Sequence, residues 1–225
     1  MAIVTLLLTF ILAVFELVAP VSAQRFDMVV RADFFAGYAG DEARLQKAMA
    51  LCESLLAENP NHAEALVWHG SGLLFQAGRA FQAGDPQRGM QLFQSGLKQV
   101  NDAVSLAPDN VAVLIPRGAV LLAATANMDP VQSRPLVEQA VADYEKVLSI
   151  QAPYFDTLGD HPRGELLFGL AEGSARLGRL DKARTYFERL VKDARTSGQA
   201  PRAQAWLDTG SVPKVEGIGC VGCHK

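Results

Sequence analysis

The residues best suited to chemistry stand together near residue 220: Cys220-Val221-Gly222-Cys223-His224, followed by Lys225. Two thiols three positions apart can reach the two vinyl groups of one haem. The adjoining imidazole then turns to the iron. Cys-x-x-Cys-His is the attachment pattern for covalent haem c. On this reading Cys220 and Cys223 form the thioethers, and His224 is the proximal iron ligand. Three other uses of the same residues stand beside it. A zinc site needs four ligands and the tail supplies three. A redox dithiol usually accompanies a βαβ pattern, which this chain lacks. A local Cys220–Cys223 disulfide has no use for His224.

A second axial ligand would have to come from the rest of the chain or from another subunit, or the iron has none. The remaining histidines are His62, His69 and His161, and the methionines beyond Met1 are Met28, Met49, Met90 and Met128. His161 lies in "LGDHPRG", which reads as a loop where a side chain can swing. It is the distal candidate, set against the plainer reading of a solvated turn histidine. His62 is expected at the surface, opening a helix, and His69 and Met49 are expected to be packing residues. Cys52 sits at an apolar helical position and reads as a buried free thiol. The chain has no phosphate-binding Gly-rich motif, no HExxH and no nucleophile triad, so it reads as an electron carrier or scaffold rather than an enzyme.

The elements that must carry this tail are helical. From Asp41 to about Leu207, Ala, Leu, Gln, Glu, Arg and Lys dominate, and apolar residues recur at spacings of three and four. Breakers fall at Asn59-Pro60-Asn61, Gly84-Asp85-Pro86, Ala107 to Asn110, Asp129-Pro130 and Thr157 to Pro162, dividing the region into paired helices. The turns recur. "SLLAENPNHAEALVWHG" and "DAVSLAPDNVAVLIPRG" each place a Gly ten residues after a Pro, pairing Pro60 with Gly70 and Pro108 with Gly118. The Pro stops one helix, and the Gly lets a neighbour approach closely. Such repeats must stack to bury their apolar faces.

These segments resemble the tetratricopeptide repeat family. "GLKQVNDAVSLAP" carries Gly96, Val100, Ala103 and Pro108 in family register, and "AMALCESLLAENP" carries Ala48, Cys52 and Pro60. The clearest unit is "LLFGLAEGSARLGRLDKARTYFERL", with Leu167, Leu170, Ala171, Gly178, Ala183 and Phe187. The resemblance implies an all-α solenoid of antiparallel helix pairs that docks other proteins. The spacing departs from the family's roughly 34-residue period. Pro60 to Pro108 is 48 residues, which calls for an insertion or longer helices near Gly78 to Gly89. A short closing helix is expected from Ala200 to about Leu207, with Trp206 sealing the last repeat.

Residues 1–23 form a nearly unbroken apolar run that ends in Val21-Ser22-Ala23, a small-residue pattern suited to signal-peptide cleavage. The run is also close to the length needed to span a bilayer. Cleaved signal, uncleaved anchor and buried core helix are the three readings. The first two put the rest of the chain in a periplasm-like space or the cell envelope. Residues 24–40 lack strong periodicity, but Phe34, Phe35 and Tyr38 indicate packing on the first helix pair. Residues 41–208 form the repeat domain and 209–225 an irregular tail. The segment from Thr209 to Gly219 spans at most about 36 Å when extended.

The 225-residue chain is 49% hydrophobic and 20% charged, which excludes disorder throughout. A net charge of −3 argues against a nucleic-acid binder. The charged run "RLDKARTYFERLVKDAR" reads as a solvated helix face with i,i+4 pairing, rather than a propionate or partner patch of Arg184, Arg189 and Arg195. The expectation is therefore an exported or tethered monohaem c-type cytochrome. It would hold one covalent haem c and pass single electrons to a redox partner or a multi-subunit membrane complex. A haem-free envelope adaptor or assembly factor is the alternative. Ligand sensing or peroxidase-like chemistry at an open iron is a third reading.

Overall fold

The computed structural model describes residues 25–211; the N-terminal apolar run and the Cys-x-x-Cys-His tail lie outside the described residues. These described residues form nine α-helices and no strand: α1 (Phe26–Tyr38), α2 (Glu42–Glu58), α3 (Ala63–Gln82), α4 (Pro86–Leu106), α5 (Val111–Ala124), α6 (Pro130–Gln151), α7 (Asp160–Arg176), α8 (Leu180–Asp193) and α9 (Ala200–Thr209). A short 3-10 turn, Ala152–Thr157, continues α6.

The starts of these helices repeat a chemical device. Asp41, His62, Asp85, Asn110 and Asp129 each accept a backbone N–H from the first turn of the helix that follows. In α4 and α6 a Pro follows the cap, where its missing N–H costs nothing. Pro116 and Pro135 lie one and a half turns into α5 and α6, and each forgoes one helical hydrogen bond.

The helices pack as antiparallel pairs, α1 with α2, α3 with α4, α5 with α6 and α7 with α8, and α9 closes the last pair. The first members contact one another along the stack, α1 to α3 to α5 to α7. Each second member packs instead on its own partner and on the first helix of the next pair. The first helices thus make the closely spaced inner layer and the second helices the splayed outer layer of a tetratricopeptide-like solenoid.

Glycines mark where helices meet most closely. A Cβ on Gly70 would stand 2.9 Å from the Gly96 carbonyl oxygen, and one on Gly96 would stand 2.8 Å from that of Gly70. No side chain fits between α3 and α4 there. The ring of Tyr144 on α6 lies against Gly118 and Gly169, where a Cβ would come within 2.9 and 2.5 Å of it. The 48-residue spacing between Pro60 and Pro108 is taken up by long helices. α3 has 20 residues and α4 has 21, joined by a three-residue turn, so their hairpin is longer than its neighbours.

Residues 24–40 supply a finding of their own. The segment expected to pack on the first pair contains that pair's first helix. Asp27, Val30, Phe34 and Gly37 recur at helical spacing on the buried face of α1. Asp27 disguises the periodicity: it is 2% exposed and is paired with Arg25 and Arg31. At the other end, Trp206 of α9 packs 4.8 Å from the ring of Phe187, which is fully buried. The closing role expected of Trp206 is the one observed.

Candidate functional site

Cys220, Cys223 and His224 lie outside the described residues, so the body is the part whose geometry bears on them. Its third cysteine, Cys52, is buried and free in α2. Burial, with a smaller push from Glu53, raises its thiol pKa to about 12. It stays a thiol at neutral pH and does not compete as a nucleophile. The cysteine pair left for a covalent group is Cys220 and Cys223, three positions apart with a histidine beside the second. That donor set suits a haem, with two thioether bonds and one axial nitrogen. Among the described residues, no group of three or more His, Cys, Asp or Glu side chains is placed to hold a metal ion.

The body's histidines take up distinct positions. His62 caps α3, its Nδ1 accepting from the Ala65 N–H at 3.1 Å while its ring edge meets Phe26. His69 is nearly buried. It lies 2.7 Å from Gln99 Oε1 through Nδ1 and 3.3 Å from Glu53 Oε1 through Nε2. It is thus a packing residue, and it also ties α2 and α4 together across α3. His161 is not in a loop. The break expected from Thr157 to Pro162 narrows to Leu158 and Gly159, and His161 is the second residue of α7, half-buried. Pro162 marks a break in the sequence pattern, but at the third helical position its absent N–H would have no intrahelical partner, so the helix runs through it.

A repeated position carries the body's most deeply buried ion pair. Arg117 precedes Gly118 as His69 precedes Gly70. Arg117 donates two hydrogen bonds to Asp143 on α6, at 2.7 and 2.5 Å, and a third to Asn101 on α4 at 3.2 Å. Asp143 is nearly buried, and that burial raises its carboxyl pKa despite the opposing pull of Arg117 and Lys146. In successive repeats the residue before the glycine therefore bridges two outer helices. These struts leave one mark in the sequence, their shared place relative to the Pro-to-Gly spacing.

The inner layer also carries a charged seam. Glu172 on α7 faces Arg176 and Arg202. Burial raises its pKa, and the two guanidinium groups partly offset the effect. Arg176 donates to the carbonyls of Leu122 and Thr125 at 2.8 Å, satisfying the end of α5. Arg202 stacks 4.2 Å over Phe168.

Two clefts open between helices, one within the outer layer and one between an outer and an inner helix. One of about 580 Å³ lies between α6 and α8 and includes Leu148, Phe155, Tyr186 and the Lys182–Glu145 pair. A second of about 340 Å³ lies between α2 and α3, with His69, Glu53 and Met49 in its wall. Of the arginines of α8, Arg189 lines the first cleft, and Arg184 lines neither. Arg184 lies 5.7 Å from the Trp206 ring and pairs with Glu188; Arg189 lies 4.5 Å from the Phe155 ring and pairs with Asp193. The expected i,i+4 face is present.

The described residues thus build an all-α solenoid of antiparallel helix pairs, a class of protein-interaction scaffold. A tetratricopeptide repeat family model matches residues 165–197, which cover most of α7 and all of α8. No curated protein matches the chain.

Proposed function

We propose that this protein is an exported or membrane-tethered monohaem c-type cytochrome whose repeat body docks partner proteins. The observation that carries the reading is the pair Cys220 and Cys223 with adjoining His224, in a chain whose remaining cysteine is buried and unreactive. Haem c held in this way supplies a one-electron iron couple. Cys220 and Cys223 hold the porphyrin, and His224 sets the iron's proximal field. The repeat body supports protein docking. The tail after α9 is long enough to present its end group along the body or to a neighbour. The apolar run of residues 2–20 and the Val21-Ser22-Ala23 pattern support export, and haem attachment to such motifs occurs outside the cytoplasm. His161, at the start of α7, is the body's candidate for the distal position.

The test is intact mass and visible spectroscopy of the denatured protein, expressed with cytochrome c maturation machinery. The expected result is a mass gain of one haem that survives acid–organic extraction and is lost in Cys220→Ala/Cys223→Ala. In the folded protein, His161→Ala should convert a six-coordinate ferrous spectrum to a five-coordinate one if His161 is the distal ligand. No covalent haem under these conditions overturns the cytochrome reading and leaves a haem-free adaptor acting through the repeats.

A further inference from the structure

The two ends of the stack are finished differently. α9 covers the last pair, whereas α1 and α2 have no further helix over them among the described residues. Terminal repeats of a solenoid need a polar outer face to remain soluble. The outer face of α1 is not polar. Its buried stripe is Asp27, Val30, Phe34 and Gly37, and the opposite side carries Met28, Val29 and Ala32, with Ala36 half-buried beside them. Met28 is 55% exposed and Val29 44%. Asp33 of α1 pairs with Arg44 and Lys47 of α2, which sets the antiparallel register of the pair. That register carries Val29 and Leu51, the latter 41% exposed, to the same side. Arg25 and Lys47, with side chains 61% and 73% exposed, stand at the rim of this apolar face.

We propose that this end of the stack rests on a phospholipid surface through Met28, Val29, Ala32 and Leu51. The chain that precedes α1 supports this occupant. Residues 2–20 are almost wholly apolar and join α1 through only a few residues, so a membrane-held segment leaves this face at the bilayer. Apolar side chains flanked by Arg and Lys match the pattern of interfacial helices. A second copy fits less well. Four side chains fall short of the 20–30 residues a side, or about 800 Å² per partner, typical of a stable dimer.

The test uses the full chain in phosphatidylcholine/phosphatidylglycerol vesicles, with and without brominated acyl chains. Tryptophan is introduced as Met28→Trp, as Leu51→Trp and, for a control on α6, as Val131→Trp. The bromines should extinguish fluorescence from positions 28 and 51 and leave position 131 unchanged. Ala32→Asp, which puts a charge in the middle of the face, should abolish quenching at position 51 while helix content stays the same. Equal responses at 28 and 131 would overturn the proposal. So would quenching that survives Ala32→Asp, a position-28 spectrum that shifts with protein concentration in the absence of vesicles, or a mature chain starting at Gln24 that does not bind vesicles. None of these outcomes depends on haem.

Discussion

Arg117 and Asp143 form the body's most deeply buried ion pair, and their energetics are asymmetric. Removing one partner leaves an uncompensated charge, whereas removing both leaves an apolar contact. Arg117→Met should cost about 3–5 kcal/mol in urea unfolding, and Arg117→Met/Asp143→Leu should recover most of it. The pH dependence has a definite sign. Burial holds the folded pKa of Asp143 above its unfolded value near 3.8, so the protonated form favours the folded state. That contribution is full below the unfolded value and is lost as pH rises through the folded one. Arg117→Met should therefore gain stability on acidification toward pH 4 relative to the parent. Gly70 makes a second residue-scale prediction. Gly70→Ala must push against the Gly96 carbonyl and should cost about 1–3 kcal/mol. Gly78→Ala on the same helix meets nothing within 4 Å and should stabilise by about 0.5–1 kcal/mol. Thermal unfolding of the two variants separates crowding from backbone entropy.

At the level of elements, the helices were legible where their ends carry caps and prolines. Asn59 to Asn61, Gly84 to Pro86 and Ala107 to Asn110 each begin a helix where the sequence places it. α1 was not legible, because a buried carboxylate occupies one of its core positions and pairing makes that tolerable. The start of α7 was hidden by Pro162, which a first turn accommodates. The struts at His69 and Arg117 stay hidden for another reason: their partners are 16 to 30 positions away, and only packing joins them. Of the body's histidines, the helix-opening place of His62 and the packing role of His69 were legible, and the helical place of His161 was not. The start of α7 also has a testable link. Asp160 accepts from the Thr196 amide at 2.9 Å and from its hydroxyl at 2.6 Å, and these bonds hold its carboxyl pKa below the usual range. A depressed pKa contributes stability above the unfolded value that is lost as pH falls through the folded one. Asp160→Asn should speed amide exchange at Thr196 at neutral pH, and the parent should show the same loosening in acid.

For the molecule as a whole, the long α3–α4 hairpin and the cap α9 distinguish this stack from a uniform repeat array. Trp206 fills the space over Phe187, so Trp206→Ala should cost about 3–5 kcal/mol. The loss should appear first in α8, followed by hydrogen exchange coupled to mass spectrometry, and only weakly in α3 and α4.

Among the described residues, the cap at one end and the uncovered apolar face at the other give the stack a direction of unravelling. In a quasi-one-dimensional array, each unit holds only its neighbours, so opening starts where the terminal interface is weakest and spreads inward. α9 guards the side from which the tail leaves, and α1 and α2 are the unguarded side. Exchange protection should then climb from α1 toward the interior and stay high into α8. Any surface that covers Met28, Val29 and Leu51 would raise protection in the first pair by mass action, without touching the rest of the chain.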